Sequence, residues 1–182
     1  MDGSAAVRAE DAFKVIYAEV FAEPPYNETA DDVDAAFRRF HVQARIPGFR
    51  AALARSAEGE PIGMAYGHPL QPDAVWWDEL TEPVSDEMRR EDGRRTFGLF
   101  ELAVRGPWRG QGVARRLHET LLDGIGAERV LLNVQPANKA ATAAYRAWGY
   151  RKIAEAWPWG EGTDLRDVMM LGLPGGGRVE PA

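Results

Sequence analysis

Cysteine is missing from all 182 residues, which removes disulfides, thiolate metal sites and a cysteine nucleophile together. Histidine is scarce: His41, His68 and His118 are scattered, with no second ligand at metal spacing, so no metal is expected. Only three of the 22 basic residues are lysine. With so much alanine and glycine, that imbalance reads as coding bias and not as a sign of a partner. No apolar run is long enough to span a membrane, and Met1 to Glu10 carries Asp2, Arg8 and Glu10 where a signal peptide would be apolar. The expected location is therefore the cytoplasm, away from membranes. Positive charge is also in deficit, with 22 basic against 28 acidic side chains and a net charge of −6. Nucleic acid, whose phosphates demand clustered positive charge, is not an expected partner.

What is present is enough for one domain, expected over residues 1–173 and followed by a flexible Gly-rich tail over 174–182. Phe13, Ile16, Tyr17, Val20 and Phe21 recur at helical spacing until Pro24-Pro25 ends the pattern. Thr29 and Asp32 stand at capping-box spacing before Val33, Phe37 and Phe40, predicting a second helix to about Ala44. Phe49–Ala57 and Pro61–His68 read as a hairpin turning at Glu58-Gly59-Glu60. Residues 69–95 have no sustained period and are expected to form a long functional loop. Thr96–Val104 is a nearly continuous apolar run, hence a central strand covered on both faces. A helix is expected from Val113, a buried strand over Arg129–Val134, and a helix starting at Pro136 and capped at Gly149. Tyr150–Ala156 and Asp167–Leu173 close the chain as strands.

Chemistry concentrates in Phe97 to Leu122. A strand that feeds a glycine turn opening a helix is an anion site, because unpaired amides and the helix dipole converge there. Three nucleotide motifs compete for the turn. A P-loop needs Lys followed by Ser or Thr where Val113-Ala114 stand. A Rossmann fingerprint needs a third glycine where Arg115 stands, and an earlier place in the chain. Arg109-Gly110-Gln111-Gly112-Val113-Ala114 instead resembles the pyrophosphate loop of the GCN5-related N-acetyltransferases: Arg or Gln, two residues, Gly, one residue, then Gly or Ala. Downstream, Asn138 to Tyr145 followed by Trp148-Gly149-Tyr150 resembles that family's second signature of Asn, helix, Tyr and Gly-aromatic.

The resemblance covers roughly Phe49 to Leu173 and implies an α/β fold: a mixed, largely antiparallel, splayed sheet with helices on both faces. It implies acetyl-CoA as co-substrate, held between two parting strands by the backbone of Leu102, Ala103 and Val104, by amides from Arg109, Gly110, Gln111, Gly112, Val113 and Ala114, and by Asn138. It also implies direct transfer of an acetyl group to an amine. A homodimer is common in such proteins.

Two side chains carry the expected catalysis. Glu101 is a carboxylate inside an apolar strand, where burial raises its proton affinity, and is the expected general base. Tyr145 is the expected acid, its phenol supplying a proton to the departing thiolate. The bland alternatives are a Glu paired with an arginine and an ordinary core tyrosine. For the acceptor, Asp73, Asp78, Glu79 and Glu82 surround Trp76-Trp77, and carboxylates with aromatic faces attract ammonium groups. A small cationic amine, aminoglycoside-like or polyamine, is expected, although the tryptophans could equally anchor the loop. Competing readings are a protein N-terminal or lysine acetyltransferase and a non-catalytic CoA-binding module.

Overall fold

The structure, a computed structural model, describes residues 1–160 and 164–174. Of the expected tail, only Pro174 falls among the described residues. Six helices and six strands follow in the order α1 (Gly3–Arg8), α2 (Glu10–Phe21), α3 (Ala30–Gln43), β1 (Arg50–Arg55), β2 (Pro61–Pro69), α4 (Asp86–Arg89), β3 (Thr96–Val104), α5 (Val113–Leu122), β4 (Arg129–Val134), α6 (Lys139–Ala147), β5 (Arg151–Ala156) and β6 (Arg166–Gly172). The strands form one mixed sheet in the order β1-β2-β3-β4-β6-β5. Strands β3 and β4 are parallel neighbours; β1/β2, β4/β6 and β5/β6 are antiparallel. Two compact units divide the chain, Met1–His68 with Leu99–Ile125, and Pro69–Gly98 with Gly126 onward.

In the first unit, α2 and α3 bury the stripes predicted by their periodicity: Phe13, Ile16, Tyr17 and Phe21 on one, Val33, Ala36, Phe37 and Phe40 on the other. Thr29 caps α3 in a complete capping box with Asp32, so Asp serves where Glu is usual. The rings interlock, Phe13 on Phe40 at 5.6 Å and Phe40 on Tyr66 at 5.1 Å between centroids. Met64 and Tyr66 of β2 face this core. Their neighbour Gly63 points the other way, and a Cβ there would lie 3.0 Å from Leu117 of α5. Because side chains alternate along a strand, α5 lies on the sheet face opposite α2 and α3.

One step of that alternation fails in β3. Phe100 and Ala103, three residues apart, both pack on the α2/α3 core, whereas a regular strand would point them to opposite faces. A shift of this kind is what one extra residue in a strand introduces, and the two residues between them are Glu101 and Leu102.

The second unit is organised by a buried polar network. Arg129, at the start of β4, meets Glu91 at 3.0 Å, with side chains only 8% and 2% exposed. Arg129 also donates to Thr96 Oγ1 at 2.7 Å and to the Met88 carbonyl at 2.6 Å. Glu91 Oε1 in turn accepts from Trp77 Nε1 and from the Thr96 hydroxyl. The long segment after β2, with a short 3-10 helix over Val75–Glu79, is thus tied to the first residues of β3 and β4. Its other tie is to β5, where Thr81 N donates to Glu155 O and Trp157 N to Glu79 O.

Three expectations need correction. Helix α1 precedes the first predicted helix, capped by Asp2 accepting from Ala5 N. The last helix starts after Asn138, which caps it, and not at Pro136, which lies in the turn before. The final two strands each sit one residue off the predicted span.

Removing Arg129 alone strands a carboxylate with almost no access to water, so Arg129→Met should cost about 3–5 kcal/mol. Arg129→Met with Glu91→Gln keeps an acceptor for Trp77 and Thr96 without the buried charge, and should regain most of that loss. Urea unfolding of the two variants beside the parent measures both; equal destabilisation would show that the network acts by packing alone.

Candidate active site

The first unit carries the anion-binding turn. After β3, residues Gly106–Trp108 make one 3-10 turn and the chain reaches Gly112, which sits at φ 75° as the N-cap of α5. A left-handed cap favours glycine, since a Cβ crowds the following carbonyl. No side chain caps the helix and no acidic residue occupies its first turn. The leading amides of α5 therefore lack intrahelical partners and stand in the positive end of the helix dipole.

The turn is braced from behind. Arg109 Nε donates to Val104 O at 2.9 Å while its Nη1 meets Glu23 at 2.7 Å. Arg105 meets Glu19 at 2.7 Å, so a carboxylate in the last turn of α2 and another just past its end grip two arginines four residues apart. Gln111 Nε2 donates to Pro107 O, and Arg116 Nη1 to Gln111 O. Each expected loop contact from Arg109 to Ala114 is thus on one short, self-bonded segment. Leu102, Ala103 and Val104 lead straight into it.

Glu101 lies at the irregular point of β3, half-buried. Its carboxylate is among the charges that push the phenols of Tyr17 and Tyr66 above their ordinary range, after burial as the main cause. Glu28 acts on the same tyrosines and accepts from Tyr17 OH at 3.2 Å. Both carboxylates therefore act electrostatically on the same two buried phenols, and His68 stacks on Phe100 at 4.3 Å. Sequence reasoning named Glu101 and did not name Glu28, Tyr17 or Tyr66 beside it. No local pattern marks them, because residues 17, 28, 66 and 101 meet only through the fold.

In the second unit, Asn138 Oδ1 accepts from Ala141 N at 3.0 Å as the α6 cap. Tyr145 is buried, edge-on to Trp148 at 5.6 Å and to Tyr150 at 5.5 Å. Of the expected acceptor group, Asp73 and Glu82 are exposed, and Asp78 is ion-paired with Arg89. Trp76 and Trp77 are buried, and the Arg129 guanidinium lies 5.0 Å from the Trp77 ring centre. Glu79 is half-buried, and burial, aided by Asp78, pushes its carboxyl up to about 7. Among the described residues no group of three or more His, Asp or Glu could hold a metal ion. None of their helices is long and apolar enough to cross a membrane.

The profile of the Acetyltransferase (GNAT) family matches residues 11–150. The chain belongs to the GNAT acetyltransferase family. This GNAT enzyme shares 39% identity over 57 residues with an uncharacterized protein of Mycobacterium leprae (strain TN), a match spanning 31% of this chain and 16% of that one. Among solved structures it resembles the ribosomal-protein-S18-alanine N-acetyltransferase from Escherichia coli, with TM-score 0.59 and 19% identity over 94% of this chain and 92% of that one. It also resembles nourseothricin acetyltransferase, with TM-score 0.52 and 21% identity over 70% and 67%. At these identities the two structures share the fold. GNAT acetyltransferases use acetyl-CoA. The uncapped helix start after two left-handed glycines, Gly110 and Gly112, fits a diphosphate.

Two measurements follow. Gly112→Glu brings a carboxylate to the α5 N-terminus and should abolish CoA binding in calorimetry, with Gly112→Ala, which adds backbone strain and a methyl 3.2 Å from Arg116 Nη1, falling between it and the parent; unchanged affinity in Gly112→Glu removes the diphosphate assignment. For Glu79, burial raises the folded pKa to about 7, above the ordinary glutamate value of 4.5, so the folded protein holds this proton more tightly than the unfolded chain does. Its contribution to stability is full below pH 4.5 and is lost as pH rises through 7. Glu79→Gln should therefore melt above the parent at pH 8, with the gap closing by pH 5.

Proposed function

We propose that the enzyme acetylates the primary amine of a small cationic acceptor in the cytoplasm, with Glu101 as general base and Tyr145 as general acid. The observation that carries this reading is the pair of carboxylates, Glu101 and Glu28, set among Tyr17, Tyr66 and neighbouring rings. An ammonium group is the natural guest of negative charge beside aromatic faces. Acidic residues of the 69–95 segment, Asp73, Glu79 and Glu82, add to the same preference.

When bound, acetyl-CoA supplies a thioester acetyl group, whose C–S bond breaks as a C–N bond to the acceptor forms. Glu101 takes the proton that the attacking amine must lose, directly or through one water. Its carboxylate also holds the ammonium form close before transfer. The Leu102 amide, at the break in β3 regularity, stabilises negative charge that develops on the carbonyl oxygen. Tyr145 supplies the proton the leaving sulfur needs. Asn138 holds the cofactor arm and the amides of Arg109 to Ala114 hold the diphosphate still while the acetyl end reacts.

Nourseothricin acetyltransferase, by its name, acts on a small molecule, while the S18-alanine enzyme acts on a protein terminus. A panel of polyamines, aminoglycosides, amino acids and N-terminal peptides, read by thiol release from acetyl-CoA, separates the two acceptor classes. Preference for peptides over all small amines would replace the present reading.

Tyr145→Phe should lower kcat by roughly 10²-fold, with little change in CoA affinity, because a proton donor matters chiefly in the transition state. Glu101→Gln should lose the acidic limb of the rate profile, since the amide cannot gain or shed the proton that makes the parent's rate rise with pH. Parent-like turnover of both variants at every pH would assign the proton transfers to other groups.

A further inference from the structure

Residues 22–29, between α2 and α3, touch both functional features of the first unit. At one end the Glu23 carboxylate accepts from Arg109 Nη1 at 2.7 Å, and Nε of the same guanidinium donates to Val104 O at the root of the diphosphate turn. At the other end Glu28 Oε1 accepts from Tyr17 OH at 3.2 Å. This is the carboxylate that joins Glu101 in acting on the phenols of Tyr17 and Tyr66.

The chain between these two glutamates is closed on itself. The Glu23 carbonyl accepts from Tyr26 N at 3.1 Å and from Asn27 N at 3.2 Å, while Phe21 O accepts from Glu28 N at 2.8 Å. Asn27 stands at φ 52°, a left-handed conformation that asparagine tolerates better than most residues, and the chain returns there to the end of α2. The Tyr26 ring meets Phe21 edge-on at 4.9 Å, and Phe21 lies against Tyr17 at 4.3 Å between centroids. Glu23 therefore faces both ways: its carboxylate holds the turn, and its carbonyl holds the amides that lead into Glu28. Such a chain of contacts is a coupling only if both ends respond together.

As a strut the Glu23–Arg109 pair contributes little, because its side chains are 42% and 46% exposed and pairs so placed add little stability. It does fix a direction, since Val104 already holds the Arg109 side chain. Resting on the acceptor reading above, in which Glu28 and Glu101 receive the amine, we propose that Glu23 is a positioning residue for the acceptor. Through Arg109 it fastens residues 22–29 to the diphosphate turn, so that CoA bound there steadies the loop and with it the Glu28 carboxylate. Linkage makes the effect mutual: the fastened loop favours CoA by the same factor.

Amide exchange, calorimetry and kinetics on the parent, Glu23→Ala and Glu23→Gln test this, with CoA as the probe. In the parent, saturating CoA should slow exchange of the Tyr26, Asn27 and Glu28 amides about three- to fivefold, the most an exposed ion pair supplies. Glu23→Ala should lose that slowing and bind CoA at most about fivefold more weakly. It should also raise the KM for 1,4-diaminobutane by a similar factor at unchanged kcat. Glu23→Gln keeps an oxygen for Arg109 and should recover part of each effect. No slowing by CoA in the parent overturns the proposal, as does equal slowing in Glu23→Ala. Faster exchange with CoA overturns it too, since Arg109 has then left Glu23 for the phosphates. An unchanged diamine KM in Glu23→Ala, with the slowing lost, overturns the positioning role. A parent whose loop is slowed by CoA but which acetylates no diamine upholds the tie and defeats the small-amine reading instead.

Discussion

An α-helix cannot bond its own first amides, and the stretch from Val104 to Arg116 is arranged around that deficit. Most helices in the chain settle it with a side chain: Asp2, Thr29, Ser85 and Asn138 each accept from an amide three residues on. Helix α5 begins from a left-handed glycine that has no side chain to offer. The amides stay available because the surrounding segment is held by other means, through the Arg109 side chain on the Val104 carbonyl and the Gln111 amide on Pro107. Rigidity comes from behind the turn, and its front is left to the ligand.

Strand β3 supplies the complementary irregularity. A strand that kept strict alternation would give Glu101 and Leu102 the same surroundings as their neighbours. Around the slipped step Phe100, Glu101 and Leu102 are instead half-buried within an otherwise buried element. Irregularities of this kind re-aim side chains and withdraw backbone groups from the ladder, as the roles proposed for the Glu101 carboxylate and the Leu102 amide require.

Much of this was legible in the sequence, because it depends on short-range rules. Periodicity located the faces of α2 and α3, a nine-residue apolar run located β3, and the glycines of the turn located α5. Parts that depend on distant pairing were not legible. Helix α1 is only six residues long and never completes an apolar period. Pro136 sits two residues before the true cap, where a helix-start proline and a turn proline look alike. The 69–95 segment has no pattern because polar bonds order it, from Trp77 to Glu91 and from Arg129 to Met88, and such bonds leave no spacing rule behind. Glu28 stayed invisible for the same reason: its meaning comes from Tyr17, eleven residues away.

The arginines around the α5 turn have a consequence for how a nucleotide arrives. Arg105, Arg109 and Arg115 are each already matched by a carboxylate, Glu19, Glu23 and Glu119. The turn sits in a chain of net charge −6 and so projects little long-range attraction toward polyanions in general. Selection falls to the direction of backbone N–H groups at contact distance, which reward a diphosphate of the right shape and are indifferent to bulk charge. Encounter is then ordinary diffusion, changing little with ionic strength, and abundant anions such as free phosphate gain no advantage from being merely negative.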